Sequence, residues 1–357
     1  MRIALDAMGS DGAPDVEVAG AVAASLADET EILLVGHEEA LAEKLTAFSK
    51  RGNVRVIHAS EAIGMHEPPV MAVRKKKDAS LLVAMRLVKE GEADAVVSAG
   101  NTGAVMVAAR TVLGPMRGIV RSAISQCLPT EQGDVVVLDL GANVDCTVRQ
   151  LCEFAEMGMA YAHFARGVEN PRVALLNIGE EGVKGSQVAR EVHAKLSAAP
   201  DVNFIGNVEP QGIFRGEADV VVCDGFVGNL FLKTSEAAAE LMGRTIRAYL
   251  LSSSMSRLGG MLAHKALNDM RHRFDPNEFP GAPLLGINGL VIILHGSCNQ
   301  QGVGDAIEGA RVAHESRLND HIRENIERLR AHEPGDNGKK TFETPADAPV
   351  SETGSAE

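Results

Sequence analysis

The stretch Val135-Val-Val-Leu-Asp-Leu-Gly-Ala-Asn143 is an apolar run that passes directly into a glycine turn bearing polar side chains. Nearly continuous Val and Leu over residues 135–140 is typical of a strand that is buried on both faces of a sheet. Open α/β sheets bind their ligands at the carboxyl ends of the strands, which is where this turn lies. The stretch therefore predicts both a fold class and a place to look for a site.

The same apolar pattern recurs along the chain. The other strand candidates are residues 3–6, 31–35, 54–59, 95–98, 123–128, 173–178, 202–205, 220–223 and 290–294. Helical patterns separate most of them, for example over residues 38–48, 80–89, 147–166 and 186–196. This alternation predicts an α/β fold with three αβα layers and a mainly parallel sheet. The pattern leaves the strand order open.

Composition excludes several classes of protein. The 357 residues carry a net charge of −13 and only 12 aromatic side chains, which argues against a nucleic-acid partner. The five cysteines form no C-x-x-C pair and indicate small buried side chains in a reducing compartment. Asp6 interrupts the first apolar stretch, and no apolar run approaches the length of a membrane span. We therefore expect a cytoplasmic protein, at most peripheral to a membrane.

The chain is predicted to form one α/β unit over residues 1–332, followed by a disordered tail at 333–357 that is rich in Gly, Pro, Thr, Ser and acidic residues. Long helices are predicted over residues 228–251 and 305–329. Between them, residues 252–267 place Leu251, Met255, Leu258 and Leu262 on one helical face. Two interpretations are open for this segment: a core-packing helix hairpin, or a protruding apolar tip that touches a membrane or a partner.

Glycines gather where the predicted strands end. Four such loops are Ser98-Ala-Gly-Asn-Thr-Gly103, Asp139-Leu-Gly-Ala-Asn143, Asn177-Ile-Gly-Glu-Glu-Gly-Val-Lys-Gly185 and Cys223-Asp-Gly-Phe-Val-Gly-Asn229. Glycine lets a backbone approach a ligand, and the N-terminus of a following helix suits phosphate. We expect the four loops to converge on an anion-binding cleft, although tight strand-to-helix turns also require glycine.

Several familiar sites are missing from the sequence. There is no G-x-G-x-x-G after a strand, no P-loop and no G-x-S-x-G elbow. His37, His58, His66 and His163 lack the spacing of metal ligands. The sequence therefore disfavours a Rossmann dehydrogenase, a P-loop enzyme and a serine hydrolase, and it predicts no metal site.

Arg74-Lys-Lys-Lys77 is the clearest basic cluster. It is predicted to precede a helix N-terminus, where cations do not stabilise a helix. The cluster is therefore either a solvated helix start or a binding site for an acidic ligand or partner.

These loops resemble the bacterial PlsX family of phosphate acyltransferases. The motifs that carry the resemblance, in order, are Asp6-Ala-Met-Gly-Ser-Asp-Gly-Ala-Pro14, Ser98-Ala-Gly-Asn-Thr-Gly-Ala104, Asp139-Leu-Gly-Ala-Asn143, Leu176-Asn-Ile-Gly-Glu-Glu-Gly-Val-Lys-Gly185, Val222-Cys-Asp-Gly-Phe-Val-Gly-Asn229 and Gly281-Ala-Pro-Leu-Leu-Gly-Ile-Asn-Gly289. The resemblance runs in order from about residue 1 to residue 330. The chain departs from the family pattern at Gly9-Ser10, where two glycines are usual, and at Arg121-Ser-Ala123, where Arg-Pro-Ala is usual.

The resemblance implies a fold similar to isocitrate and isopropylmalate dehydrogenases and to phosphotransacetylase, in a homodimer. It implies an acyltransferase in which inorganic phosphate attacks the thioester of a fatty acyl-[acyl-carrier-protein], without a metal or other cofactor. The acyl phosphate produced would pass to a membrane-bound glycerol-phosphate acyltransferase. The expected location is the cytoplasm, peripherally associated with the inner face of the membrane.

Site residues follow from the positions of the motifs. Phosphate is expected at Asn101, Thr102, Gly103 and Asn143, and the catalytic candidates are Lys184 for charge stabilisation and Asp224 and Asn229 for orientation or proton handling. Each of these residues could instead only stabilise a turn. Arg74, Lys75, Lys76 and Lys77 are expected to bind the acidic carrier protein, and Leu251, Met255, Leu258 and Leu262 to contact the membrane.

Two other functions remain open at this point. A phosphotransacetylase-like enzyme would use the same phosphate chemistry on acyl-CoA and would need no carrier-binding patch. A catalytically inactive scaffold that binds membrane and carrier protein would not need the glycine loops that this chain retains.

Overall fold

Eleven strands form one sheet in the part of the chain that the structure, a computed structural model, describes: residues 1–28, 30–273 and 281–331. The tail predicted at 333–357 lies outside the described residues. The strands are β1 (Arg2–Asp6), β2 (Glu31–Gly36), β3 (Val54–His58), β4 (Ala95–Ser98), β5 (Ala123–Thr130), β6 (Gly133–Leu138), β7 (Val173–Leu176), β8 (Phe204–Val208), β9 (Val220–Val222), β10 (Ala282–Leu285) and β11 (Leu290–Ile293).

The strand order is β3-β2-β1-β4-β11-β10-β5-β6-β9-β7-β8. Two parallel blocks, β3-β2-β1-β4-β11 and β6-β9-β7-β8, are separated by β10 and β5. Three successive antiparallel pairings, β11–β10, β10–β5 and β5–β6, make the two blocks run in opposite directions. The mainly parallel sheet is confirmed, and β10 is a strand that the sequence pattern did not predict.

Helices cover both faces of the sheet. They are α1 (Asp15–Asp28), α2 (Glu38–Leu45), α3 (Pro69–Lys75), α4 (Ser80–Lys89), α5 (Thr102–Val112), α6 (Val148–Ala160), α7 (Gln187–Ala198), α8 (Pro210–Arg215), α9 (Gly225–Leu251), α10 (Ser254–Leu262), α11 (His264–Arg273), α12 (Gln300–Glu315) and α13 (Leu318–Ala331). Side chains alternate between two hydrophobic cores, so that Ile3 and Leu5 join one and Ala4 the other. The three αβα layers follow from this alternation.

Two predicted helices differ from those in the structure. The helix predicted over 305–329 is two helices, α12 and α13, because Arg317 adopts a left-handed backbone with φ of 51° and ends the first. The helix predicted over 147–166 is α6, followed by a π-helical turn at Tyr161–Ala165.

The segment after β9 forms an exposed arm made of the distal half of α9 with α10 and α11. No residue of α10 is buried, and Met255 and Leu262 are 78% and 82% exposed. The core-packing interpretation of 252–267 is therefore wrong for this chain, because its apolar side chains meet no core. Within the described residues, no helix combines the length and the apolar content needed to span a bilayer.

Candidate active site

The loops at the carboxyl ends of the strands form two separate clusters. The first cluster contains residues 7–14, 61–68, 99–103 and 294–299, next to β1, β4 and β11. The second contains residues 139–147, 177–186 and 223–229, next to β6, β7 and β9. No hydrogen bond between described residues joins the two. The two sheet blocks run in opposite directions, but the strand registers place Ser98 at the end of β4 and Leu138 at the end of β6 within about one residue of the same level along the sheet. The convergence of all four loops on one cleft stays a prediction.

The first cluster is built around the buried carboxylate of Asp6. Its two oxygens accept hydrogen bonds from the Ser80 hydroxyl at 2.6 Å and the Ser98 hydroxyl at 2.8 Å, and the N–H of Met8 adds a third at 3.3 Å. Burial raises the pKa of Asp6, and these three donors lower it. The two serine hydrogen bonds join the end of β1 to the start of α4 and to the end of β4.

Asn101 caps α5 in this cluster. Its Oδ1 accepts from the N–H of Ala104 at 3.1 Å, and its Nδ2 donates to the carbonyls of Met65 and Glu67. Both ends of the side-chain amide are thus used within the protein, which favours a turn-fixing role. Thr102 and Gly103, in the first turn of α5, remain available as N–H donors for an anion, with Thr102 exposed.

The structure corrects the interpretation of the basic cluster. Arg74 and Lys75 lie in the last turn of α3, where cations stabilise the helix dipole, although the cluster also precedes α4, which begins at Ser80 as the sequence predicts. Lys76 donates to Glu67 and to the carbonyl of Ala62, each at 2.6 Å. Arg74, Lys75 and Lys77 are exposed. Three cations therefore remain on the surface beside the first cluster.

The second cluster is built around the buried carboxylate of Asp139. It accepts four hydrogen bonds, all from N–H groups: Ile124 N at 3.0 Å, Ala142 N at 3.0 Å, Asn143 N at 2.7 Å and Asn143 Nδ2 at 2.9 Å. Burial raises the pKa of Asp139, and the four donors lower it. Asn143 Nδ2 also donates to the carbonyl of Ser122, at the family departure in 121–123. Asp139 therefore shapes the whole turn.

Two glycines let α9 begin against this turn. The N–H of Gly225 donates to the carbonyl of Asn143 at 2.7 Å, and a Cβ there would lie 2.7 Å from the same oxygen. A Cβ at Gly228 would collide with the carbonyl oxygen of Asp139. Asp224 caps the helix by accepting from Val227 N at 2.8 Å. The exposed side chain of Asn229 lies next to Gly141, where an added Cβ would be 3.5 Å from it, and it makes no hydrogen bond with any described residue. The predicted residues Asn143, Asp224 and Asn229 thus come together.

Lys184 lies on the third loop of this cluster. Its backbone is held by Asn177, whose Nδ2 donates to the Lys184 carbonyl, and by the buried Asn207, whose Nδ2 donates to the Glu181 carbonyl at 2.9 Å. Gly185 has a φ of 85°, and a Cβ there would lie 2.5 Å from Asn177. The Lys184 side chain is exposed and forms no ion pair with any described residue. It is therefore a cation available to a ligand.

Two cysteines next to the second cluster are unsuited to nucleophilic attack. Burial raises the pKa of Cys146 to about 12, and the pKa of Cys223 is also raised well above its usual value. Both thiols are therefore protonated near neutral pH, and a thiol is a poor nucleophile without deprotonation. The described residues include no group of three or more His, Cys, Asp or Glu that could hold a metal ion.

An apolar groove opens beside the second cluster and is called the α9 groove below. It has a volume of about 910 Å³ and runs along α9 between β5, α8 and the loop after β7. Its walls include Leu128, Pro129, Phe214, Val227, Leu230 and Phe231. Asn177, Ser186 and Asp224 lie at the end next to the second cluster. The groove thus begins at the loops that carry Lys184 and Asn229.

Sequence reasoning missed three features of this site. Asp139 was quoted within a motif but not selected, although an acid directly after an apolar strand is a signal. Asn207 is distant in sequence from the loop that it anchors. Ile178 is 80% exposed and borders the α9 groove. An apolar residue in a polar glycine loop was the signal in the sequence that could have indicated an apolar ligand site.

Comparison with solved structures identifies the fold. A phosphotransacetylase from Streptococcus pyogenes superposes with a TM-score of 0.60 at 18% identity, covering 88% of this chain and 94% of that one. The EutD phosphotransacetylase from Staphylococcus aureus gives 0.57 at 18% identity, covering 87% and 94%. The chain is therefore an α/β protein with the phosphotransacetylase fold.

Comparison of sequences identifies the family. A family model described as "Fatty acid synthesis protein" matches residues 1–320. The chain is 49% identical over 337 residues to a phosphate acyltransferase of Citrifermentans bemidjiense, covering 94% of this chain and 95% of that protein. It is also 49% identical over 313 residues to a phosphate acyltransferase of Heliobacterium modesticaldum, covering 87% and 93%. The chain belongs to this PlsX family of phosphate acyltransferases and is an acyltransferase.

Proposed function

We propose that this chain transfers a fatty acyl group from the thioester of an acyl carrier protein to inorganic phosphate, with acyl phosphate as the product. The observation that carries the proposal is the second cluster, where the loops that carry the exposed Lys184 and Asn229 both border the polar end of an apolar groove. Both thiols there are protonated, so an acyl-cysteine intermediate is disfavoured. Phosphate is itself a nucleophile and needs no such intermediate.

The step is a direct acyl transfer. An oxygen of phosphate attacks the thioester carbonyl carbon, the C–O bond forms, and a tetrahedral oxyanion develops. The C–S bond then breaks, the carbonyl reforms, and the thiolate of the carrier leaves and takes up a proton. The protein has to hold the two reactants together and stabilise the oxyanion.

Each candidate residue has a role in this step. Lys184 Nζ and the first turn of α7, which starts at Gln187, provide positive charge for phosphate and the oxyanion. Asn229 orients the thioester, Asp224 caps α9, and the Asn143 carbonyl holds the two loops together by accepting from Gly225 N. Thr102 and Gly103 in the first cluster are the second candidate position for phosphate.

Two exposed surface features indicate the partners of the protein. Arg74, Lys75 and Lys77 form the carrier-binding patch, since an acidic protein is attracted to exposed cations. The exposed arm carries Leu251, Met255, Leu258 and Leu262 to a membrane surface, where the acyl phosphate would pass to a membrane-bound glycerol-phosphate acyltransferase. The working form is a homodimer in the cytoplasm.

Replacing Leu258 with Glu is expected to abolish flotation with anionic liposomes, and unchanged flotation would reject the membrane contact.

Hydroxylamine trapping tests the reaction. Palmitoyl carrier protein, phosphate and the chain are incubated, and acyl phosphate is measured as the hydroxamate. We expect phosphate-dependent product with the carrier-bound donor, and acyl-CoA should compete only weakly. Equal use of acyl-CoA would favour the phosphotransacetylase-like alternative, and no product from either donor would favour the inactive scaffold.

A further inference from the structure

We infer that the α9 groove binds the hydrocarbon chain of the acyl donor. The carbonyl end would lie at the second cluster, near Asp224 and Lys184, and the methyl end would point along α9 towards Ala238 and Ala239. This inference rests on the proposed function, because it names the part of the molecule that recognises the acyl group.

The chemistry of the lining selects an uncharged, apolar ligand. Leu230 is 59% exposed and Phe214 is 37% exposed, although both border the same concave surface. Large apolar side chains gathered in a concavity with one polar end are typical of ligand sites. The lining contains no Lys or Arg, and its charged members, Asp224, Glu209 and Glu236, are all acidic. Phosphate and acidic peptides are therefore poor occupants.

The size of the groove fits one fatty acyl chain. Its lining on α9 extends from Asp224 to Ala239, which is about 22 Å along the helix at 1.5 Å per residue. An extended sixteen-carbon chain is roughly 19 Å long, more than the half-thickness of about 15 Å that one disordered chain fills in a bilayer core, so its methyl end would lie close to Ala238. The volume of about 910 Å³ also lies within the usual range for small-molecule sites.

The position of the groove favours the same occupant. Its polar end is formed by Asn177, Ser186 and Asp224, which belong to the loops of the second cluster. A hydrocarbon chain that lies in the groove would therefore bring its thioester to Lys184. A second copy of the protein that filled the groove would instead cover the entrance to these loops.

A pair of tryptophan substitutions on α9 tests the inference. Ala238 lines the groove, whereas its neighbour Ala237 is exposed and is not part of the lining. For the unaltered protein, kcat/KM should rise by roughly fourfold for each methylene buried, from six to about sixteen carbons. Ala238→Trp should lower kcat/KM for the sixteen-carbon donor at least 20-fold and leave the six-carbon donor within twofold. Ala237→Trp should keep the original chain-length profile.

The outcomes separate this inference from the proposed function. If the unaltered protein makes acyl phosphate but Ala238→Trp keeps its chain-length profile, the groove does not hold the chain. A change in oligomeric mass by light scattering, with the profile unchanged, would assign the groove to a second copy and overturn the inference. If no acyl phosphate forms at all, the proposed function fails, and binding of dansylated undecanoic acid decides: Ala238→Trp should weaken it at least tenfold and Ala237→Trp should not. Equal binding by all three proteins would reject the groove as a chain site.

Discussion

The two loop clusters each surround one buried carboxylate, but the donors to that carboxylate differ. Asp6 in the first cluster is held by two serine hydroxyls and one N–H group. Asp139 in the second is held by four N–H groups. A hydroxyl can turn and accept a hydrogen bond, whereas an N–H group can only donate. The first arrangement therefore tolerates a neutral group, and the second requires an acceptor at every position.

The difference extends to the surrounding side chains. In the first cluster, Asn101 and Lys76 are engaged with neighbouring carbonyls and Glu67. In the second, Lys184 and Asn229 remain without protein partners among the described residues, on loops whose backbones are tightly fixed. Rigid support with unpaired polar groups is the arrangement that transition-state stabilisation needs. This contrast supports the proposal that the second cluster carries the chemistry and that the first cluster supports it.

Removing the unpaired cation should have the largest effect. Lys184→Ala is expected to lower kcat by a hundredfold to a thousandfold, about 3–4 kcal/mol, as when one group that stabilises an oxyanion is lost. Steady-state kinetics with palmitoyl carrier protein measure this, with Lys89→Ala at the exposed end of α4 as the control. A loss below threefold, with the fold intact, would remove Lys184 from the catalytic site.

Replacing Asp6 and Asp139 with asparagine, one at a time, tests whether hydroxyl donors tolerate a neutral side chain better than N–H donors do. Asp139→Asn turns an amide N–H₂ towards N–H groups and should lower the free energy of unfolding by about 3 kcal/mol. Asp6→Asn can donate to one serine and accept from the other, so its cost should be about 1 kcal/mol. Urea unfolding of both variants measures the difference. Equal losses would show that burial alone, and not donor type, governs the two sites.

A third buried carboxyl, that of Glu156 on α6, extends the comparison because its carboxyl oxygens accept none of the hydrogen bonds that hold Asp6 and Asp139, although Asn325 Nδ2 donates to its backbone carbonyl and the charge of Arg328 acts on it. Its pKa is raised to about 7, chiefly by burial, from 4.5 for an exposed Glu. The folded state therefore binds the proton more tightly than the unfolded state, and stability falls as the pH rises from about 4.5 to 7. Between pH 5 and pH 7 this loss should amount to about 2 kcal/mol.

Replacing Glu156 with Gln should remove most of that pH dependence. Thermal unfolding of the unaltered protein and of Glu156→Gln at pH 5 and pH 7 measures it, and the variant should gain relative stability at pH 7. If the two pH profiles run parallel, Glu156 is ionised in the folded protein.

The exposed cations beside the first cluster should give the smallest effect. Changing Lys75 and Lys77 to Glu is expected to raise KM for the acyl carrier protein about fivefold, roughly 1 kcal/mol, with kcat unchanged, because rim charges act mainly on association. The effect should shrink as salt increases. A KM that is insensitive both to the substitutions and to salt would place the carrier elsewhere.

Much of the fold could be predicted from local pattern. Runs such as 135–140 identified ten of the eleven described strands, because a strand buried on both faces is apolar throughout. β10 was missed because only four residues, one of them Pro283, form it between glycine turns. The break at Arg317 was missed because the amphipathic pattern continues through it, and tertiary packing decides where a helix ends.

The candidate site was predicted less completely. The loops that contain Lys184, Asp224 and Asn229 were identified, since glycine and polar residues after a strand are a local signal. The position of Asn101, Thr102 and Gly103 beside the end of β1 was not, because it depends on the pairing of β4 with β1, which is distant in the chain. The α9 groove was also not predicted, since Leu128, Phe214 and Phe231 are far apart in the chain.

The amino-acid sequence by itself determined the alternation of strands and helices, the glycine turns and the family, because each of these depends on neighbouring residues. Only the tertiary structure decided which loops meet, which polar groups are satisfied by the protein and which are left without a partner among the described residues. The physical reason is that three antiparallel pairings around β10 and β5 reverse the second half of the sheet. Strand pairing over long sequence distances, and not local preference, therefore decides how the two loop clusters are placed in the molecule.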